Sequence, residues 1–267
     1  MAVPEPVSVP GWRPDWPAPA HVHAWCSTRG ESPADGASAA PYEFFNLGAH
    51  VGDAPAAVAA NRARLQQHLG ARPVFLDQVH GTQVLSLQPD TPDGATADAA
   101  VTTQPGLVCT VMVADCLPVL FTDAAGSVVA AAHAGWRGLA GGVLEQTLAK
   151  LRELVPATDR PPDWLVWLGP CIGPEAFEVG PEVRAAFVAH DAGAAACFRR
   201  HGQGKYLADL AGLARRRLGA HGIARAYGND GGAGWCTVQQ PHRYHSHRRD
   251  HLAHGGSGRM AACIWLA

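Results

Sequence analysis

The chain is short of charge. Lys, Arg, Asp and Glu make up only 16% of its 267 residues, and 21 basic against 23 acidic side chains leave a formal net charge of -2. No basic face is available for nucleic acid or for an anionic membrane, so large polyanions are not expected partners. Long apolar runs are missing too. The longest, residues 107–121, is broken by Asp115 and falls below the ~20 residues that cross a bilayer. Residues 1–19 are crowded with prolines and lack the positive start and continuous apolar stretch of a secretory signal, so a soluble, cytoplasmic protein is expected. Cysteine is present but unpaired in pattern: Cys26, Cys109, Cys116, Cys171, Cys197, Cys236 and Cys263 are odd in number and show no short repeated spacing. That excludes a disulfide framework and a structural zinc motif built from cysteine pairs. Most of these thiols have apolar neighbours and are expected as small core residues.

What the chain does have is apolar content, 47% of it, enough to bury one large core in a single elaborated domain. Residues 1–20 are expected to be an irregular lead-in, and residues 21–267 the domain itself. Pro55, with Val58, Leu65 and Leu69 at helical spacing and Gly70 behind them, predicts an amphipathic helix over 55–69. Buried strands are expected at 73–79, 107–113, 127–132, 164–168 and 261–266, where apolar or β-branched runs are bounded by Gly or Pro. Leu144, Leu148, Leu151 and Val155 recur with helical period, and 181–190 and 205–218 are further helical candidates. Strands and helices mix without strict alternation, and no repeat or domain-sized linker interrupts them. The expected class is therefore α+β or a layered α/β sandwich rather than a doubly wound sheet.

Two imidazoles and a thiol stand out. His80 follows an expected strand and precedes Gly81, and His133 stands between the strand 127–132 and Gly135, so both rings are expected where strands end and loops gather. Asp115 and Cys116 interrupt an otherwise continuous apolar stretch, and an aspartate there costs desolvation unless it is paired or coordinates something. Three borderline-soft ligands with no fourth partner describe a zinc site that keeps one coordination position open for chemistry. His80, Cys116, His133 and Asp115 are thus the candidate catalytic residues, the first three of them also the candidate metal ligands. Arg137 follows Trp136, whose first reading is core filling, and its guanidinium suits a phosphate or carboxylate. Residues 242–251 concentrate histidine and arginine in what reads as a loop before the last strand. That density suits anion or substrate contacts, with Arg248 the candidate, while solvated histidines are expected there rather than a second metal site.

These residues fall in blocks. Asn46-Leu47-Gly48 with His50-Val51-Gly52-Asp53, Asn61-Arg62, Gln78-Val79-His80-Gly81 and Ala114-Asp115-Cys116 come first. His133-Ala134-Gly135-Trp136-Arg137-Gly138, Gly169-Pro170-Cys171-Ile172-Gly173, Ser246-His247-Arg248-Arg249-Asp250 and Gly258-Arg259-Met260-Ala261 follow. In that order they resemble the YfiH (PgeF) family, also called the multicopper polyphenol oxidase or laccase-domain family, with purine nucleoside phosphorylase relatives of FAMIN. The resemblance covers nearly the whole chain. It implies an α+β fold built as a layered α/β/β/α sandwich with mixed sheets, zinc held by His80, Cys116 and His133, and phosphorolysis of adenosine, inosine or methylthioadenosine to base and ribose 1-phosphate, with adenosine deamination alongside. Purine nucleosides and phosphate are then the partners, Asn46, Arg137 and Arg248 the candidate substrate contacts, and the chain a monomer or weak homodimer. One departure is His245, where relatives place an aromatic residue that could stack on the base.

Three rival readings remain at this point. Cys116 could be the nucleophile of a hydrolase with His133 as its base. The same ligand set also suits copper, Cu2+, and phenol oxidation, although one site lacks a multicopper cluster. A peptidoglycan editing factor that acts by binding is the third.

Overall fold

The computed structural model describes residues 8–155 and 161–267. In chain order the elements are β1 (Gly11–Trp12), β2 (Val22–Ser27), α1 (Pro55–Leu69), β3 (Arg72–Phe75), β4 (Val84–Ser86), β5 (Ala99–Thr102), β6 (Leu107–Val113), β7 (Leu117–Asp123) and β8 (Val129–Ala134). They continue with α2 (Trp136–Gly141), α3 (Val143–Leu154), β9 (Trp164–Leu168), β10 (Glu178–Val179), α4 (Pro181–Val188), β11 (Phe198–His201), β12 (Lys205–Ala208), α5 (Leu210–Ala220), β13 (Ala226–Gly228), α6 (His247–His254) and β14 (Met260–Leu266).

Two mixed sheets carry the architecture. One runs β1-β2-β14-β6-β3 and the other β13-β9-β7-β8-β5-β4, with a small third sheet β10-β12-β11 beside them. Because side chains alternate along a strand, each sheet has two faces to cover. Leu120, Val129, Ala131 and Trp167 of the second sheet meet Cys109, Val111, Ala262 and Ile264 of the first, forming the layer between the sheets. The next residues along, Val119, Phe121, Ala130 and Ala132, point the other way onto Leu144, Leu148 and Leu151 of α3 and Leu213 of α5. On the far side, Leu65 and Leu69 of α1 cover Phe75, Val108 and Cys263. The order helix, sheet, sheet, helix is the layered α/β/β/α sandwich that the family resemblance implies.

Four boundaries differ from expectation, each for a local reason. The chain at 8–20 is not wholly irregular, because Gly11 and Trp12 pair antiparallel with Ser27 and Cys26; residues 1–7 lie outside the described range. The strand expected at 73–79 ends at Phe75, where β3 leaves its partner β6. The segment 205–218 splits into a strand and a helix at Asp209, whose carboxylate accepts from the Gly212 amide and so starts α5. The expected loop at 242–251 is helical from His247, since the Ser246 hydroxyl accepts from the Arg249 amide and caps α6. Cys26, Cys109, Cys171, Cys236 and Cys263 are buried thiols, as expected, whereas Cys116 and Cys197 are half-buried.

Candidate metal centre

β6 and β7 are one apolar ribbon broken at Asp115 and Cys116. Asp115 adopts φ 92°, a left-handed conformation that turns the chain between the strands and holds Cys116 at the end of the sheet. β8 lies antiparallel to β7 with His133 opposite Pro118. His133 therefore belongs to the strand, which runs two residues beyond the end expected from the sequence, and its ring leaves the sheet beside Cys116. His80 arrives on the loop after β3, also left-handed at φ 61°.

These three side chains converge. One ligand atom from each of His80, Cys116 and His133 lies within 4.8 Å of the others, Cys116 Sγ stands 3.7 Å from His80 Nε2, and the two rings meet edge-on with centroids 4.9 Å apart. Tetrahedral zinc with bonds of ~2.3 Å to sulfur and ~2.0 Å to nitrogen places such ligand atoms roughly 3.5 Å apart, so the set fits zinc with small adjustments. Two imidazoles and one thiol are also the donor types that zinc selects. Among the described residues this is the one group of three or more His, Cys, Asp or Glu side chains close enough to share a metal.

Asp98, which the sequence reading passed over, organises the centre. It is fully buried, and its Oδ1 lies 2.8 Å from His133 Nδ1 and accepts from the His80 amide, while Oδ2 accepts from the amides of Gly81 and Val79. The carboxylate thus fixes His133 with Nε2 toward the metal position and restrains the strained backbone of His80. Its signal was legible: a lone aspartate within the apolar run 97–101 poses the same desolvation problem as Asp115. Burial pushes the Asp98 carboxyl up, but the His133 hydrogen bond and the loop amides outweigh it and hold it below the usual range. Burial likewise pushes the Cys116 thiol up, and the charge and hydrogen bonds of His133 and His80 overcome this to leave it at about 6. For His133, burial lowers and Cys116 and Asp98 raise, with the net at about 9. Both directions favour a thiolate beside an imidazolium.

Asp115 also lines the cavity and ties two segments together. Its carboxylate accepts from the Thr237 hydroxyl at 2.5 Å and the Arg248 amide at 2.6 Å, tying the start of α6 to the β6–β7 turn. Asn46, a candidate substrate contact from the sequence, does not line the cavity. It is buried away from the cavity, bonded to Gly48, Asp53 and the backbone amide of Arg259. His245 is fully buried with both ring nitrogens lacking partners, so it cannot stack on a ligand.

The cavity over the centre has a volume of about 690 Å³. Trp136, Met112, Ile172, Phe177 and Val183 form apolar walls, so Trp136 both packs on the core and faces the cavity. Arg137, Arg248 and Arg259 line it with His50 and His247, and none of the three arginines has a carboxylate ion-pair partner among the described residues. Arg137 lies over Trp136, and Arg248 lies over Phe177 and donates to the Glu178 carbonyl. Arg259 is anchored by donating from Nη1 to the carbonyls of Ser257 and Gly258. Glu178 and Glu182 border the same cavity.

Comparison with known proteins places this geometry. The family model for multi-copper polyphenol oxidoreductase laccase matches residues 23–267. Purine nucleoside phosphorylase PA4543 of Pseudomonas aeruginosa is 50% identical over 254 residues, 95% of this chain and 97% of its own. Purine nucleoside phosphorylase YfiH of Escherichia coli is 49% identical over 255 residues, again 95% and 97% of the two chains. Among solved structures, protein NMB0706 of Neisseria meningitidis superposes with a TM-score of 0.86 at 45% identity, covering 96% of this chain and 98% of that one.

Proposed function

This chain belongs to the multi-copper polyphenol oxidoreductase laccase family, the YfiH family, and from that premise we propose that it is a zinc-dependent purine nucleoside phosphorylase. Its substrates on this reading are adenosine, inosine or methylthioadenosine with phosphate, and adenosine deamination is a side activity. The observation that carries the reading is one cavity in which a His-Cys-His ligand set faces three arginines without carboxylate partners among the described residues.

The residues divide the work. His80, Cys116 and His133 would hold the zinc, which when bound would supply Lewis acidity. Asp98 keeps His133 in the tautomer that presents Nε2. Met112, Ile172, Phe177 and Trp136 offer apolar and aromatic surface for a purine face. Phosphate carries charge that must be neutralised and held in line with the glycosidic carbon, a task for Arg137, Arg248 and Arg259, whose guanidinium forks match phosphate oxygens. Asp115 acts through Arg248, by fixing the residue's backbone.

Incubating pure protein with inosine, with and without phosphate, tests this. The reading expects hypoxanthine only when phosphate is present, and release that ignores phosphate would overturn it. A second reading is favoured by one observation, the Cys116 thiol held at about 6 beside His133, which equips a cysteine nucleophile. That reading expects turnover that persists under a chelator and stops on alkylation.

A further inference from the structure

The histidines near the C-terminus are on a helix, and this changes what they can do. His247 and His251 lie one turn apart on α6, where side chains four residues apart share a face, and their rings stack with centroids 4.9 Å apart at 28°. Both are exposed, and neither ring has a hydrogen-bond partner among the described residues. Two imidazoles at this helical spacing can grip one cation between them. His254, a further turn along, lines a different cavity with Arg29 and Glu43, so the unit is a pair.

We propose that His247 and His251 form a second metal site, distinct from the His80-Cys116-His133 centre, for a late divalent transition metal of the nickel or copper type. The donor set selects the class: two neutral nitrogens without thiolate or carboxylate suit cations that prefer imidazole over hard oxygen ligands. Position sets the consequence. His247 lines the cavity beside Arg248 and Arg259, whereas His251 stands outside it, so a cation shared between them sits at the cavity mouth. The two arginines repel a cation near His247 and Asp115 attracts it, and the pair's exposure screens both effects. The open coordination positions favour an anion, which the same arginines also draw. This makes an exchangeable site that obstructs entry to the cavity when filled.

Untagged, zinc-loaded protein titrated calorimetrically with nickel ion tests the proposal. Wild type is expected to take up one nickel per chain beyond its zinc, Cys116→Ala to keep that nickel, and His251→Ala to lose it. His251 is exposed, so its replacement leaves the fold intact, and nickel is expected to slow inosine turnover by wild type but not by His251→Ala. Failure of wild type to bind nickel, or equal binding by His251→Ala, would overturn the site. Nickel that binds wild type yet leaves its turnover unchanged would overturn its placement over the cavity mouth. The binding results stand whatever reaction the cavity performs.

Discussion

Asp98 illustrates how a residue outside the ligand set can govern a metal centre. It accepts from three consecutive loop amides and pairs with the His133 ring, so it sets the direction of one ligand and the backbone of another. Asp98→Asn keeps the shape but loses the charge and offers the wrong donor on one side, and metal affinity is expected to fall by roughly 10–100-fold. Competition for zinc against a chromogenic chelator measures this, and unchanged affinity would remove Asp98 from the centre. His245 tests a different physics. Burial, reinforced by Arg29, Arg259 and Arg249, holds its pKa well below 6.5, so the folded ring stays neutral while the unfolded ring takes a proton below that pH. The unfolded state then binds more protons, and stability contributed above pH 6.5 is lost as pH falls, by up to about 1.4 kcal/mol per pH unit. His245→Phe is expected to remove this part of the acid sensitivity in denaturant titrations at a series of pH values.

At the level of elements, the centre depends on how closely the β8–α2 turn approaches two ligands. A Cβ on Gly135 would stand 2.8 Å from Cys116 Sγ and 2.9 Å from His80 Cδ2, so no side chain fits there without moving them. Gly135→Ala is expected to retain the circular dichroism of the folded protein and lose bound zinc; full zinc content would show that the ligands have room to spare. The sequence already revealed Gly135 and the three ligands, because each stands at a break between an apolar run and a turn. It did not reveal α6. With a mean hydropathy too polar for periodicity to register, the segment 247–254 reads as a loop, and only the Ser246 cap and the Asp115 anchor make it a helix. Arg259 was visible within a block of the family resemblance, yet its role depends on Asn46, Ser257 and Gly258 holding it toward the cavity, contacts between segments up to 213 residues apart.

For the molecule as a whole, the two sheets provide rigidity and the cavity at their edge provides asymmetry: apolar walls on one part, guanidinium groups without carboxylate partners among the described residues on another. Buried strands and amphipathic helices made the mixed α+β class legible, and the order of the layers came from the motif blocks shared with the family. Which loops meet above the sheet was not legible, since those pairings are set by topology. If Arg259 binds phosphate, Arg259→Met is expected to raise the KM for phosphate by roughly 10–100-fold, the worth of a charge-assisted hydrogen-bonded pair, with the KM for inosine changed far less. An equal rise in both would make Arg259 a structural residue. The central claim, that His80, Cys116 and His133 hold one zinc ion, is tested most directly by metal analysis of untagged, unheated protein beside its Cys116→Ala variant. One zinc per wild-type chain and none in the variant is the expected result, and a variant that keeps its full zinc would contradict the account.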